Sequence, residues 1–123
     1  MRRALLSALS TAVMAAALAV GPVPGAHAAG TADCPRGWLC VWDQTDYQGH
    51  MFKFKDANAT WPAAIENHDA SWFNNGTSGL TACIWQGGAY TGTVKAVKAG
   101  ASSPRDSAHA HRGSSNDWRS TCE

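Results

Sequence analysis

Charge is scarce in this chain of 123 residues, and neither sign dominates: Asp, Glu, Lys and Arg make up 15% of it, with ten Lys and Arg against nine Asp and Glu. No basic patch runs through the sequence, which argues against nucleic acid as a partner. No Cys-x2-Cys knuckle occurs among the four cysteines, and their spacings of 6, 43 and 39 do not suit a zinc site. No Gly-x-Ser-x-Gly elbow surrounds any serine, so a hydrolase is set aside although Ser, His and Asp are all present. His109-Ala110-His111 places two imidazoles close together, but no third ligand accompanies them, and the pair reads as solvated. The chain is too short for a doubly wound nucleotide-binding enzyme or an eight-unit barrel.

The one long uncharged run, Ala4 to Val20, spans 17 residues. It follows Arg2 and Arg3 and is broken by Gly21, Pro22, Pro24 and Gly25, after which Ala26-His27-Ala28 supplies a small-x-small cleavage site. Basic, apolar and small residues in that order form a secretory signal peptide. As a retained anchor the run is short of the roughly 20 residues that a membrane span needs. Cleavage of residues 1–28 leaves 95 residues, 29–123, as one small secreted, extracellular domain without a membrane segment. Eight Lys and Arg then face nine Asp and Glu.

All four cysteines, Cys34, Cys40, Cys83 and Cys122, lie in the mature part. An even count in a short exported chain reads as two disulfides, for which three pairings are open. The pairing that closes each half of the chain on itself joins Cys34 to Cys40 and Cys83 to Cys122. By loop-closure entropy the long bridge contributes about 4 kcal/mol and the short one about 2.

The mature sequence repeats itself. Cys40, Trp42, Tyr47 and Gly49 recur as Cys83, Trp85, Tyr90 and Gly92 at one offset of 43, and Val41 matches Ile84. With one extra residue in the second copy, Ser71 falls opposite Ser115. The two units cover about residues 34–79 and 80–123.

Each unit reads as strands. Trp38–Trp42 and Thr81–Trp85 are rich in aromatic and branched residues. Met51–Lys55 alternates, with Phe52 and Phe54 on one face and Lys53 and Lys55 on the other. Thr93–Val97 and Ser71–Asn74 are further strands, Asn75-Gly76 and Gly87-Gly88 are turns, and a short helical turn fits within Trp61–Glu66. The tail from Gly100 to Ser115 reads mostly as loop. Two four-stranded antiparallel units of this size imply an all-β double Greek key sandwich with two disulfides, Trp42, Trp72 and Trp85 filling much of its core.

Trp42-x4-Tyr47-x-Gly49 and Trp85-x4-Tyr90-x-Gly92 both match the aromatic-x4-aromatic-x-Gly signature of βγ-crystallin Greek keys. In such a hairpin the aromatic packs across the sheet and the glycine takes a backbone shape that a Cβ would resist. More narrowly, Cys34-Pro35-Arg36-Gly37-Trp38-Leu39-Cys40 and Asp69-Ala70-Ser71-Trp72-Phe73-Asn74-Asn75 resemble segments of the secreted bacterial metallopeptidase-inhibitor family with a βγ-crystallin fold. The resemblance implies a monomeric binding protein that blocks a secreted peptidase by tight non-covalent occupation of its cleft, not an enzyme. The alternative is a calcium- or surface-binding module of the same fold, killer-toxin-like or a stress protein, without inhibitory activity.

The resemblance also implies where calcium would sit, through Asn/Asp-Asn/Asp-x-x-Ser/Thr-Ser loops that supply hard oxygen ligands. The first loop here is Glu66-Asn67-His68-Asp69-Ala70-Ser71, where Ala70 has lost the hydroxyl. The second is Ala110-His111-Arg112-Gly113-Ser114-Ser115, where the first two oxygen donors are missing. Only a degenerate site from Glu66, Asn67 and Ser114 is left; otherwise no cofactor is expected, and the serines read as turn residues bonding their own backbone. The resemblance implies a target of the thermolysin type, which favours a large apolar residue just after the scissile bond. The contact surface is expected around Asn75 to Trp85, with Leu80 or Ile84 as its apolar anchor.

Overall fold

The structure, a computed structural model, describes residues 30–123; the expected signal peptide lies outside them. Seven strands are present: β1 Leu39–Trp42, β2 Met51–Phe54, β3 Ser71–Asn74, β4 Thr81–Gly87, β5 Thr91–Val97, β6 Ser102–Ser103 and β7 Ser115–Arg119. They form two antiparallel sheets, ordered β2-β1-β3-β6 and β5-β4-β7. Among the described residues no helix is long and apolar enough to cross a membrane.

Each unit lends one short segment to the other unit's sheet. From the second unit, β6 pairs with β3, Ser103 opposite Trp72 and Ser102 opposite Phe73. From the first, Asn58 bridges to Asn116 of β7 through Asn58 N to Asn116 O at 2.8 Å and Asn116 N to Asn58 O at 3.0 Å. The second sheet therefore holds three strands and a bridge where four strands are expected. The reason is local: Ala57, Ala59 and Thr60 around Asn58 are exposed and give that segment no face to bury.

The core between the sheets contains Leu39, Val41, Phe54, Trp61, Ile65, Trp72, Ala82, Ile84 and Val97. The alternation in β2 sends Phe52 and Phe54 to this core and leaves Lys53 exposed on the other face. Trp61 stacks on Phe54 with ring centroids 4.7 Å apart. Trp42 and Trp85 correct the sequence reading, because they are buried on the outer faces of their sheets and not between them. Trp42 belongs to a second cluster with Cys34 and Cys40, against which Trp38, Tyr47, Met51 and Phe73 pack. Alternation requires this arrangement: Val41 and Ile84 point inward, so their neighbours Trp42 and Trp85 point outward.

The tail from 100 to 115 is mostly loop, interrupted by β6, and leads into β7, a strand without an apolar pattern. Its inward Asn116 is buried and accepts a hydrogen bond from Trp61 Nε1 at 2.8 Å. A strand that buries an amide instead of an aliphatic side chain carries no apolar alternation to read. The turn within Trp61–Glu66 is present, closed by Ile65 N and Glu66 N donating to Pro62 O at 3.0 and 2.9 Å.

Candidate functional site: a braced loop beside an open groove

The disulfides join Cys34 to Cys40 and Cys83 to Cys122, each half of the chain closing on itself. The two signature hairpins share one backbone. Asp46 and Tyr47 in the first, and Ala89 and Tyr90 in the second, adopt left-handed conformations, as do Gly49 at φ +78° and Gly92 at φ +87°. A Cβ on Gly49 would overlap the Asp43 carboxylate, which accepts a hydrogen bond from His50 N. A serine at the start of the last strand of each unit ties its hairpin down. Ser71 Oγ donates to Gln44 O at 2.7 Å and accepts from Tyr47 N at 3.1 Å. Ser115 Oγ donates to Gly87 O at 2.7 Å and accepts from Tyr90 N at 3.1 Å. These serines bond a distant hairpin, which corrects the expectation that they serve their own turns.

The two loops that could hold calcium pair with each other about a local two-fold axis. Asn67 N donates to Gly113 O at 2.8 Å, and His111 N donates to Asp69 O at 2.6 Å; Asn67 and His111 are both left-handed. At the centre lies Asp69, 1% exposed. Its Oδ1 accepts from Arg112 N at 3.0 Å and Gly113 N at 2.8 Å, and its Oδ2 accepts from Trp72 Nε1 at 2.9 Å. Three N–H donors satisfy the buried carboxylate without a counter-ion. Of the candidate ligands, Glu66 is half-buried with its carbonyl 2.7 Å from His68 Nδ1, Asn67 is exposed, and Ser114 is buried. The Asp69 carboxylate and the carbonyls of Asp69 and Gly113 at the centre of the paired loops are thus engaged by protein donors. Among the described residues no three His, Cys, Asp or Glu side chains converge as metal ligands. In the sequence the only signal of Asp69 is a carboxylate three residues before a tryptophan.

The anchor residues separate. Ile84 on β4 is 2% exposed within the core between the sheets, while Leu80 is half-buried on the loop that precedes β4. That loop, Asn75–Leu80, is closed at its base by Asn74, which is fully buried. Asn74 Nδ2 donates to Leu80 O at 3.0 Å and to Val97 O at 2.9 Å, and Asn74 Oδ1 accepts from Gly76 N at 2.9 Å. One side chain therefore spans the loop from end to end. Asn75 fastens the same loop to the Cys34–Cys40 turn. Asn75 N donates to Trp38 O at 2.9 Å, Asn75 Nδ2 donates to Cys34 O at 2.9 Å, and Gly37 N donates to Asn75 O at 2.7 Å. An open groove of about 300 Å³ lies beside the loop, lined by Gly37, Lys55, Asp56, Gly76, Thr77, Ser78, Leu80 and Trp118. Trp118 crosses Gly76 so closely that a Cβ there would meet its ring at 2.8 Å.

His109 and His111 do not act together. His109 Nδ1 donates to Asp106 Oδ2 at 2.7 Å, whereas His111 is exposed. Lys95 Nζ also donates to Asp106 Oδ2 at 2.7 Å and lies 4.4 Å from the centre of the Trp72 ring. Burial works to raise the Asp106 pKa, but the hydrogen bonds from Lys95 and His109 outweigh it and hold the group at about 2.

Several solved structures share this architecture. A βγ-crystallin domain studied for the evolution of the eye lens fold matches with a TM-score of 0.63 at 12% identity, over 72% of this chain and 91% of that one. A βγ-crystallin from Ciona intestinalis matches with a TM-score of 0.58 at 10% identity, over 68% of this chain and all, 100%, of that one. A βγ-crystallin domain from Clostridium beijerinckii matches with a TM-score of 0.55 at 16% identity, over 68% and 99% of the two chains. At these identities the likeness is one of fold. No curated protein sequence matches the chain. Residues 27–97 match the family model of peptidase inhibitor family I36, and that span holds the Cys34–Cys40 turn, both signature hairpins and the Asn75–Leu80 loop. The chain belongs to peptidase inhibitor family I36: it is a non-enzymatic, inhibitor-type protein with a βγ-crystallin fold and two disulfides.

Proposed function

We propose that the mature protein is a secreted, monomeric inhibitor of metallopeptidases that occupies the target's cleft without forming a covalent bond. The observation that carries the reading is the braced loop Asn75–Leu80. Asn74 closes it from beneath, and Asn75 ties it to a disulfide-bridged turn. A loop already ordered in the free protein loses little conformational entropy on binding, so more of the contact energy is realised as affinity. Leu80 is the apolar anchor of this surface, and Ile84 supports it from the core. The metallopeptidase preference rests on the resemblance of the Cys34–Cys40 and Asp69–Asn75 segments and on an apolar anchor suited to an enzyme of the thermolysin type.

Inhibition by the exported protein, assayed on a panel of secreted metallo- and serine peptidases, tests the reading. It expects at least one metallopeptidase to be inhibited, and Leu80→Ala to weaken that inhibition by about 30-fold, an anchor contribution of about 2 kcal/mol. Absence of inhibition across the panel at micromolar protein would overturn the function. Serine peptidases alone responding would overturn the class. Calcium has no part in this reading. Millimolar calcium is expected to leave the thermal midpoint unchanged, since a ligand that binds only the folded state would raise it.

A further inference from the structure

We propose that the groove beside Leu80 receives an acidic peptide segment of the target, with an apolar side chain seated against Leu80 and Trp118 and carboxylates held by Lys55, Lys53 and Arg36. The inference deepens the inhibitor reading, on which it rests only for the identity of the protein that carries the segment. Its basis is the placement of charge. Three of the eight Lys and Arg in the described residues are in ion pairs: Lys95 with Asp106, Arg105 with Asp46 and Arg119 with Asp117. Of the five others, three border this groove or the turn that lines it. Lys55 is a lining residue, Lys53 lies two residues away on the same outer face of the sheet, and Arg36 is exposed beside Gly37.

Lys53 and Lys55 share one aromatic ring. Their Nζ atoms lie 5.0 and 5.8 Å from the centre of the Trp38 ring. Each is attracted by the face of the indole, but the two ammonium groups repel each other. An incoming carboxylate between them removes the repulsion and meets cations already positioned. Trp38 is itself fixed, because its carbonyl accepts from Asn75 N and its N donates to Pro35 O at 3.3 Å. The apolar wall at Leu80 and the cationic wall at Trp38 are thus carried by one hydrogen-bonded frame through Asn75. Asp56 also lines the groove. Its carboxylate repels negative charge, so Lys53, Lys55 and Arg36 must together outweigh it. A peptide with a leucine followed by glutamates satisfies both walls, whereas a uniform polyanion satisfies only one.

A defined probe tests this without a known peptidase. The probe is a blocked peptide of one leucine flanked by glutamates, titrated into the isotope-labelled exported protein and followed by amide and indole chemical shifts. Saturable shifts are expected at Gly37, Lys55, Gly76 and Leu80 and at the Trp118 indole. Raising the salt should weaken binding. The Lys53→Glu/Lys55→Glu variant, whose side chains are both exposed, should bind about tenfold more weakly or not at all. Absence of shifts at these residues would overturn the proposal, as would equal binding of a peptide with glutamine in place of glutamate. Equal shifts from polyglutamate without leucine, or from phosphatidylserine vesicles, would also overturn it and make the face a general anion-binding surface. Peptidase inhibition is scored separately. Inhibition without groove shifts sinks this inference alone, and groove shifts without any inhibition sink the inhibitor reading alone.

Discussion

Trp42 and Trp85 hold the same place in the two Greek-key units, on equal backbones, yet they are supported differently. Trp42 is fully buried, its ring meets Tyr47 edge-on at 5.1 Å, and its Nε1 is buried without a hydrogen-bond partner. Around it stand the Cys34–Cys40 bridge, Met51 and Phe73. Trp85 donates Nε1 to Asp117 Oδ1 at 2.8 Å and carries Arg119 over its ring at 4.7 Å, while Arg119 Nε donates to Asp117 Oδ2 at 2.7 Å. The first unit is thus closed by apolar packing and a short covalent loop, the second by a polar network and a long one. The signature thus fixes the hairpin and leaves the covering of the aromatic free. The first unit's covering is tied, through Asn75, to the loop that ends at half-buried Leu80, where we propose the inhibitory surface.

The disulfides should separate the units most strongly. Cys83→Ala/Cys122→Ala opens a loop of 39 residues' separation and is expected to cost about 4 kcal/mol, against about 2 for Cys34→Ala/Cys40→Ala with its separation of 6. Equilibrium urea unfolding of the two variants measures the difference. Equal losses would mean that strain or residual unfolded-state structure, not loop length, sets both values. The short bridge should matter more for inhibition than for stability, since its turn is bonded to Asn75.

Asp69 is where the units meet, so its loss should weaken both. Asp69→Ala leaves Trp72 Nε1, Arg112 N and Gly113 N without their acceptor in a buried site. The expected cost is about 3 kcal/mol, read from the thermal or urea midpoint. A loss below about 1 kcal/mol would show that water replaces the carboxylate and that the clasp does not couple the units.

Acid should reach the second unit first. The Asp106 pKa is held at about 2 by Lys95 and His109, below its usual 3.8. A depressed carboxylate contributes stability that is fully present above its unfolded pKa and is lost as the pH falls through the folded one. The loss therefore runs from about pH 4 down to about pH 2 and amounts to no more than about 2 kcal/mol. The other shifted carboxylate, Asp46, pairs with Arg105 across the two units, and that pair is exposed and screened by solvent. Urea midpoints measured through that range should fall less steeply in Asp106→Asn than in the wild-type protein. Equal slopes would assign the acid sensitivity elsewhere.

The smallest effect concerns what the units share. Ser71→Ala and Ser115→Ala each remove one donated and one accepted hydrogen bond to a hairpin. Each should cost about 1 to 2 kcal/mol, and the two should agree within about 0.5. Disagreement would mean that the aromatic coverings reach into the hairpin backbone.

Much of this architecture is legible in the sequence because it is carried by rare residues at fixed spacing. The offset of 43 aligns Cys40, Trp42, Tyr47 and Gly49 with Cys83, Trp85, Tyr90 and Gly92, and the extra residue before Ser115 also aligns Asn67 with His111. What escaped was carried by polar groups. The strand β7 hides because Asn116 faces inward through a hydrogen bond to Trp61, and residue type alone gives no inward direction to an amide. Asp69 hides because a carboxylate surrounded by N–H donors is indistinguishable in sequence from an exposed one. The groove hides because Gly37, Lys55, Leu80 and Trp118 are brought together only by the exchange of segments and the Asn75 frame. For the same reason no basic patch runs through the sequence, although Arg36, Lys53 and Lys55 border one groove and its turn.

The central claim is that the braced loop ending at Leu80 blocks a peptidase. The most direct measurement is the inhibition constant of Leu80→Asp against a metallopeptidase inhibited by the wild-type protein, with the thermal midpoint followed in parallel. The account predicts that inhibition falls by at least about 100-fold, because a carboxylate replaces the apolar anchor in a desolvated contact, while the midpoint stays close to wild type. Undiminished inhibition by a folded Leu80→Asp protein would contradict it.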